Sequence, residues 1–126
     1  MRSHTCCFTG HRQIPPGKQA EIVEKLERVI ISLYQRGVRF YGAGGARGFD
    51  ALAAQTVLRL RGSCPGMKLI LVLPCLTQTR GWPAADVAEY ERIKGLADKV
   101  VYTSQAYTVR YAREQGLEVI NLAASG

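Results

Sequence analysis

Val38-Arg39-Phe40-Tyr41-Gly42-Ala43-Gly44-Gly45-Ala46-Arg47-Gly48-Phe49-Asp50 is the stretch that decides the fold. Residues 38–43 are β-branched, aromatic or small and read as a strand. The glycines that follow break it. From about 50 to 61, Leu52, Ala53, Val57 and Leu60 recur at helical spacing, so the chain passes from strand to helix through a tight glycine turn.

The same alternation extends in both directions. Residues 5–9 (TCCFT) form a first strand, ending at Gly10. Pro15-Pro16-Gly17 punctuates the chain. Residues 18–36 form a first helix on Ile22, Leu26, Val29, Ile30 and Leu33, with Gly37 as its stop. After a turn at 62–66, residues 68–73 are a third strand and 74–83 a polar loop. A third helix at 84–97, a fourth strand at 99–103, a fourth helix at 106–115 and a fifth strand at 118–122 complete the order. Strands alternating with helices imply an α/β, Rossmann-like, three-layer domain. Its sheet is mostly parallel, has about five strands and carries helices on both faces. Residues 1–126 read as one domain.

Composition agrees with this class. The chain is 47% hydrophobic and 21% charged, which fits a globular fold. No apolar run approaches the ~18–20 residues that span a bilayer, and no signal-peptide pattern opens the chain, so a cytoplasmic protein with no membrane partner is expected. The four cysteines contain no CxxC pair; they read as free thiols, and no metal site is expected. A net charge of +7 favours acidic partners. The basic residues are spread along the chain, however, and a solvated basic surface explains them as well as a binding patch does.

In an open parallel sheet the ligand sits beyond the carboxyl ends of the strands. Three loops qualify. In the loop after the second strand, Gly44, Gly45 and Gly48 let backbone N–H groups approach a ligand closely, at the positive end of a helix. Arg47 adds a bidentate cation, and Asp50 is a helix cap or a partner for a ribose hydroxyl. The spacing Gly42-x-Gly44-x-x-x-Gly48 is not the usual dinucleotide fingerprint and follows the second strand, so as a motif it is weak. The competing reading is a tight turn without a ligand. The loop after the first strand offers Thr9, Gly10, His11 and Arg12. Arg12 suits an anion, whereas a lone histidine is more often structural than catalytic. The loop after the third strand offers Gln78 and Trp82, the latter to stack on a flat ring or to cover the sheet end. No catalytic residue is assigned: neither a triad nor a carboxylate pair is visible.

Cys7-Phe8-Thr9-Gly10-His11-Arg12 followed by Gly44-Gly45-Ala46-Arg47-Gly48-Phe49-Asp50 resembles the YpsA-like branch of the SLOG superfamily. Residues 69–75 (LILVLPC), Gln78, Trp82, Tyr90 and Ala97-Asp98-Lys99-Val100 continue the match. The superfamily also holds the DNA-uptake protein DprA and the LOG phosphoribohydrolases. The resemblance implies a Rossmann-like domain that binds a small phosphate-bearing ligand: a nucleotide, or a nicotinamide dinucleotide or ADP-ribose-like derivative. It implies a sensor or regulator connected with bacterial cell division or envelope physiology. Two alternatives follow from it: an N-glycosidic hydrolase of the LOG type, with Asp50 as the candidate carboxylate, and a DprA-like nucleic-acid binder, which is not favoured.

The C-terminal part departs from the family. Residues 102–105 run almost directly into 107–112, where the family places a further helix, a strand and a second glycine loop. Either the chain is internally shortened or a segment is missing from the sequence; the unbroken numbering prefers the first. The absent strand would lie beside the first strand. The fifth strand must then pack there, or an open apolar edge would invite a homo-oligomer.

Overall fold

The computed structural model describes residues 5–8, 17–45, 47–73, 79–102 and 118–120, with backbone only at 5, 7 and 118–120. Among these, β1 (Thr5–Phe8), α1 (Gln19–Gln35), β2 (Phe40–Gly44), α2 (Phe49–Arg61), β3 (Lys68–Leu73), α3 (Ala84–Leu96), β4 (Lys99–Tyr102) and β5 (Glu118–Ile120) follow in chain order. The five strands form one sheet, ordered β4-β3-β2-β1-β5, and every pairing is parallel. The α/β, Rossmann-like expectation is met. The expected fourth helix, at 106–115, lies outside the described residues, as does the junction at 104–107.

Register explains where the core lies. Cys6 stands opposite Tyr41 and Tyr41 opposite Leu69; Phe8 stands opposite Ala43 and Ala43 opposite Leu71. Side chains two apart share a face, so these rows lie on one side of the sheet. They are buried together with Leu26, Ile30 and Leu33 of α1, Phe49, Ala53, Ala54 and Val57 of α2, and Tyr90 and Ile93 of α3. All three described helices therefore cover the same face. Right-handed crossovers require this when β1 to β4 step across the sheet in one direction. Tyr41 stacks on Phe8, and its buried hydroxyl donates to the Val38 carbonyl at 2.8 Å.

The place beside β1 is taken by β5, with Cys6, Cys7 and Phe8 opposite Glu118, Val119 and Ile120. β1 thus has a neighbour on each side, and the open edge that gave reason to expect an assembly is filled.

Some boundaries differ from the sequence reading. Val38 does not start β2. Its N–H instead bonds to Leu33 O while the Gly37 N–H bonds to Tyr34 O, closing α1 through a left-handed Gly37 at φ 98°. β2 runs one residue further, to Gly44, which pairs with Val72. α2 begins at Phe49, with Gly48 as its N-cap; Asp50 lies in the first turn and is not the N-cap.

Asp98 ties α2, β3 and β4 together. Its carboxylate accepts the Leu69 N–H at 2.8 Å and an Arg61 N–H at 2.9 Å, while its own N–H donates to Leu69 O at 2.9 Å. Burial pushes the Asp98 carboxyl up, but the Leu69 N–H and Arg61 outweigh it and hold the pKa below the usual carboxylate value. Stabilisation from a depressed carboxylate is complete above the unfolded-state pKa and fades as pH falls through the folded-state one. Asp98→Ala is expected to cost about 1.5–3 kcal/mol at neutral pH, as for a charge-assisted hydrogen bond. In urea titrations at several pH values, the gap between wild type and Asp98→Asn should close below about pH 4.

Candidate functional site

The turn from β2 to α2 is built by backbone geometry. Gly44 is the last β2 residue and Phe49 the first of α2. Gly48, between them, adopts φ 79° and ψ −124°, a conformation that side chains with a Cβ rarely take. This lets the chain reverse from strand to helix within a few residues. The N-terminus of α2 then sits at the carboxyl edge of the sheet.

A cleft of about 240 Å³ opens there, between the first turns of α2 and the N-terminal half of α3. Gly44, Gly45, Arg47, Gly48, Asp50 and Trp82, all singled out from the sequence, line it together. Thr9, Gly10, His11, Arg12 and Gln78 lie outside the described residues. Gln19, on the first turn of α1, also lines the cleft.

The cleft also holds residues that sequence reading missed: Gln55 on α2, and Asp86, Glu89 and Tyr90 on α3. Asp86, Glu89, Tyr90 and Ile93 are spaced three, four and seven apart from the first, so they form one stripe. The spacing was visible in the sequence. Its mixture of acidic, aromatic and aliphatic residues hid it, because periodicity arguments look for uniform apolar faces.

Arg47 is already engaged. Its Nη1 lies 3.4 Å from Asp86 Oδ2, and its guanidinium sits over the Trp82 ring at 5.3 Å. It thus spans the mouth of the cleft, from the glycine turn to α3. Trp82 meets Tyr90 edge-on, with centroids 5.6 Å apart, and packs against the core. It is partly buried against the core and forms part of the cleft wall at once.

Among the described residues that line the cleft, Asp50, Asp86 and Glu89 are acidic and Arg47 is basic. Glu89 accepts Arg92 Nε at 2.8 Å, Arg92 Nη2 at 2.6 Å and Gln55 Nε2 at 2.7 Å. The Arg92 hydrogen bonds, with help from Gln55 and against some burial, hold its carboxyl below the usual range. Glu89 is therefore a fixed anion. Elsewhere Arg28, Arg59, Arg61 and Lys18 stand in ion pairs with Glu24, Glu27, Asp98 and Glu21. Several of the described basic residues are thus paired with carboxylates.

The model of the YspA SLOG family matches residues 7–118. The chain belongs to this SLOG family. It is also similar to a UPF0398 protein of Halalkalibacterium halodurans, with 31% identity over 91 residues, which is 72% of this chain and 46% of that relative. The SLOG chain thus matches less than half the length of that relative. Among its described residues, no helix is long and apolar enough to cross a membrane, and no group of three potential metal ligands gathers.

The glycine turn is testable by stability alone. Gly48→Ala forces a side chain into the φ 79° conformation and is expected to cost about 1–3 kcal/mol. Gly62→Ala, at φ −64° beyond the end of α2, should change stability by less than about 1 kcal/mol in the same denaturation experiment.

Proposed function

We propose that this chain is a SLOG-type domain that binds a nucleotide or nucleotide-derived ligand and acts as a cytoplasmic sensor or regulator. A link to cell division or envelope physiology belongs to this reading. The observation that carries it is the opening of three glycines and the α2 N-terminus into one cleft beside Arg47 and Trp82. A phosphate against this turn would meet backbone N–H groups and the positive end of the helix dipole. Arg47 would exchange Asp86 for the phosphate. Both partners of that pair are nearly half exposed, so parting them costs little. The acidic α3 wall suits hydroxyls and ring donors better than further phosphates. A volume of about 240 Å³ is below the ~300–1,000 Å³ of typical drug-sized pockets, which favours a fragment of mononucleotide size.

A thermal-shift and calorimetric screen of nucleoside monophosphates, nicotinamide dinucleotides and ADP-ribose tests the reading directly. Arg47→Ala should weaken the best ligand by roughly 1.5–3 kcal/mol and leave the melting temperature nearly unchanged. A variant that binds normally but melts early would make Arg47 structural.

A second reading, N-glycosidic hydrolysis, is supported by Asp86 and Glu89 joining Asp50 in the cleft. An ionised carboxylate would stabilise positive charge at the anomeric carbon while water adds there and the base leaves with a proton. Against it, Glu89 is tied to Arg92 and Asp86 to Arg47. Chromatography of adenosine monophosphate incubated with the protein should show no free adenine; accumulating base would promote the hydrolase reading over the sensor.

A further inference from the structure

Gln55 and Glu89 face each other from α2 and α3, and both line the cleft. Arg92 grips both oxygens of Glu89, at 2.8 and 2.6 Å, while Gln55 Nε2 donates to Oε2 at 2.7 Å. A carboxylate can only accept hydrogen bonds. The amide of Gln55 is therefore turned with its nitrogen to Glu89, and the flip ambiguity that usually attends a glutamine is removed by its partner. One N–H is used. The second N–H and Oε1 make no other hydrogen bond among the described residues. Ala51, Ala54, Leu71 and Ile93 supply apolar surface in the same cleft, suited to a flat ring.

We infer that Gln55 is the specificity-determining residue of the cleft, presenting a fixed acceptor-and-donor edge to a base that carries an exocyclic amino group beside a ring-nitrogen acceptor. This inference rests on the nucleotide reading above. An adenine-type base complements that edge, as a carboxamide does when it pairs with both an amino group and a ring nitrogen. A base with a keto oxygen at the same position would set two acceptors against each other and leave both unpaired. Glu89 acts through Gln55: it is a positioning residue, and Arg92 holds it in place.

Adenosine monophosphate and inosine monophosphate differ at this group and serve as probes. Calorimetric titration of the full chain should show adenosine monophosphate binding about tenfold or more tightly. In Gln55→Leu the two affinities should converge. In Glu89→Gln the partner can donate as well as accept, so the Gln55 amide is free to turn, and the preference should collapse while both probes still bind. Melting curves of each variant report on folding separately. A pair that only braces α2 against α3 would lower the melting temperature and leave the affinity ratio intact, which would overturn the inference. Equal affinities in the wild type, or a preference for inosine monophosphate, would overturn it too. If neither probe nor any other nucleotide binds the folded wild type, the nucleotide reading itself falls, and this inference with it.

Discussion

The rest of the structure depends on the parallel pairing of β2 with both of its neighbours. β2 is held between β1 and β3 from Phe40 to Ala43, and β3 alone carries the pairing on to Gly44, opposite Val72. Because the strand is pinned to its last residue, the chain must leave the sheet at once. Gly48, with its positive φ, lets it do so and enter α2 directly. Everything at the carboxyl edge follows from this. The α2 N-terminus cannot drift from the sheet, and the face of α2 bearing Ala51 and Gln55 is set against α3.

The two walls of the cleft differ in character. On the α2 side, glycine backbone and the positive end of the helix meet one carboxylate, Asp50, in the first turn. On the α3 side, Asp86 and Glu89 supply negative charge, each matched by an arginine, Arg47 and Arg92 respectively. Such pairing near the surface adds little stability. Its consequence is geometric: Arg47 is parked over Trp82, and Glu89 fixes the Gln55 amide. The cleft thus has the glycine turn and the α2 N-terminus at one end and paired carboxylates at α3.

Membership of the SLOG family frames how this chain solves a topological problem. β4 and β5 lie at opposite edges of the sheet. β5 lands beside β1, opposite Cys6, Cys7 and Phe8. The neighbour supplied there is short, at three residues, yet it pairs three of the four in β1. β1 is thereby made an interior strand, and its Cys6 and Phe8 are buried.

The sequence by itself determined the local structure. The periodicity of 18–36, the apolar run at 68–73 and the glycines at 44, 45 and 48 are near-neighbour signals, and each lies close to where the sequence placed it. Even there the ends moved: Val38 was drawn into the α1 cap and Gly44 into β2, because hydrogen bonds across the turn and the sheet outweigh single-residue propensity. Tertiary structure alone decided the strand order, the filling of the place beside β1 and the α3 wall of the cleft. The helical spacing of Asp86 and Glu89 was visible in the sequence, but neither they nor Gln55 signalled a cleft, since charged and amide residues on a helix are ordinarily solvated. Only the packing of α2 against α3 brings Gln55 to within 2.7 Å of Glu89 and Arg47 to Asp86. Those partners lie 34 and 39 residues apart. Contacts at such separations are set by the sheet that carries the helices, and short-range sequence patterns hold no information about them.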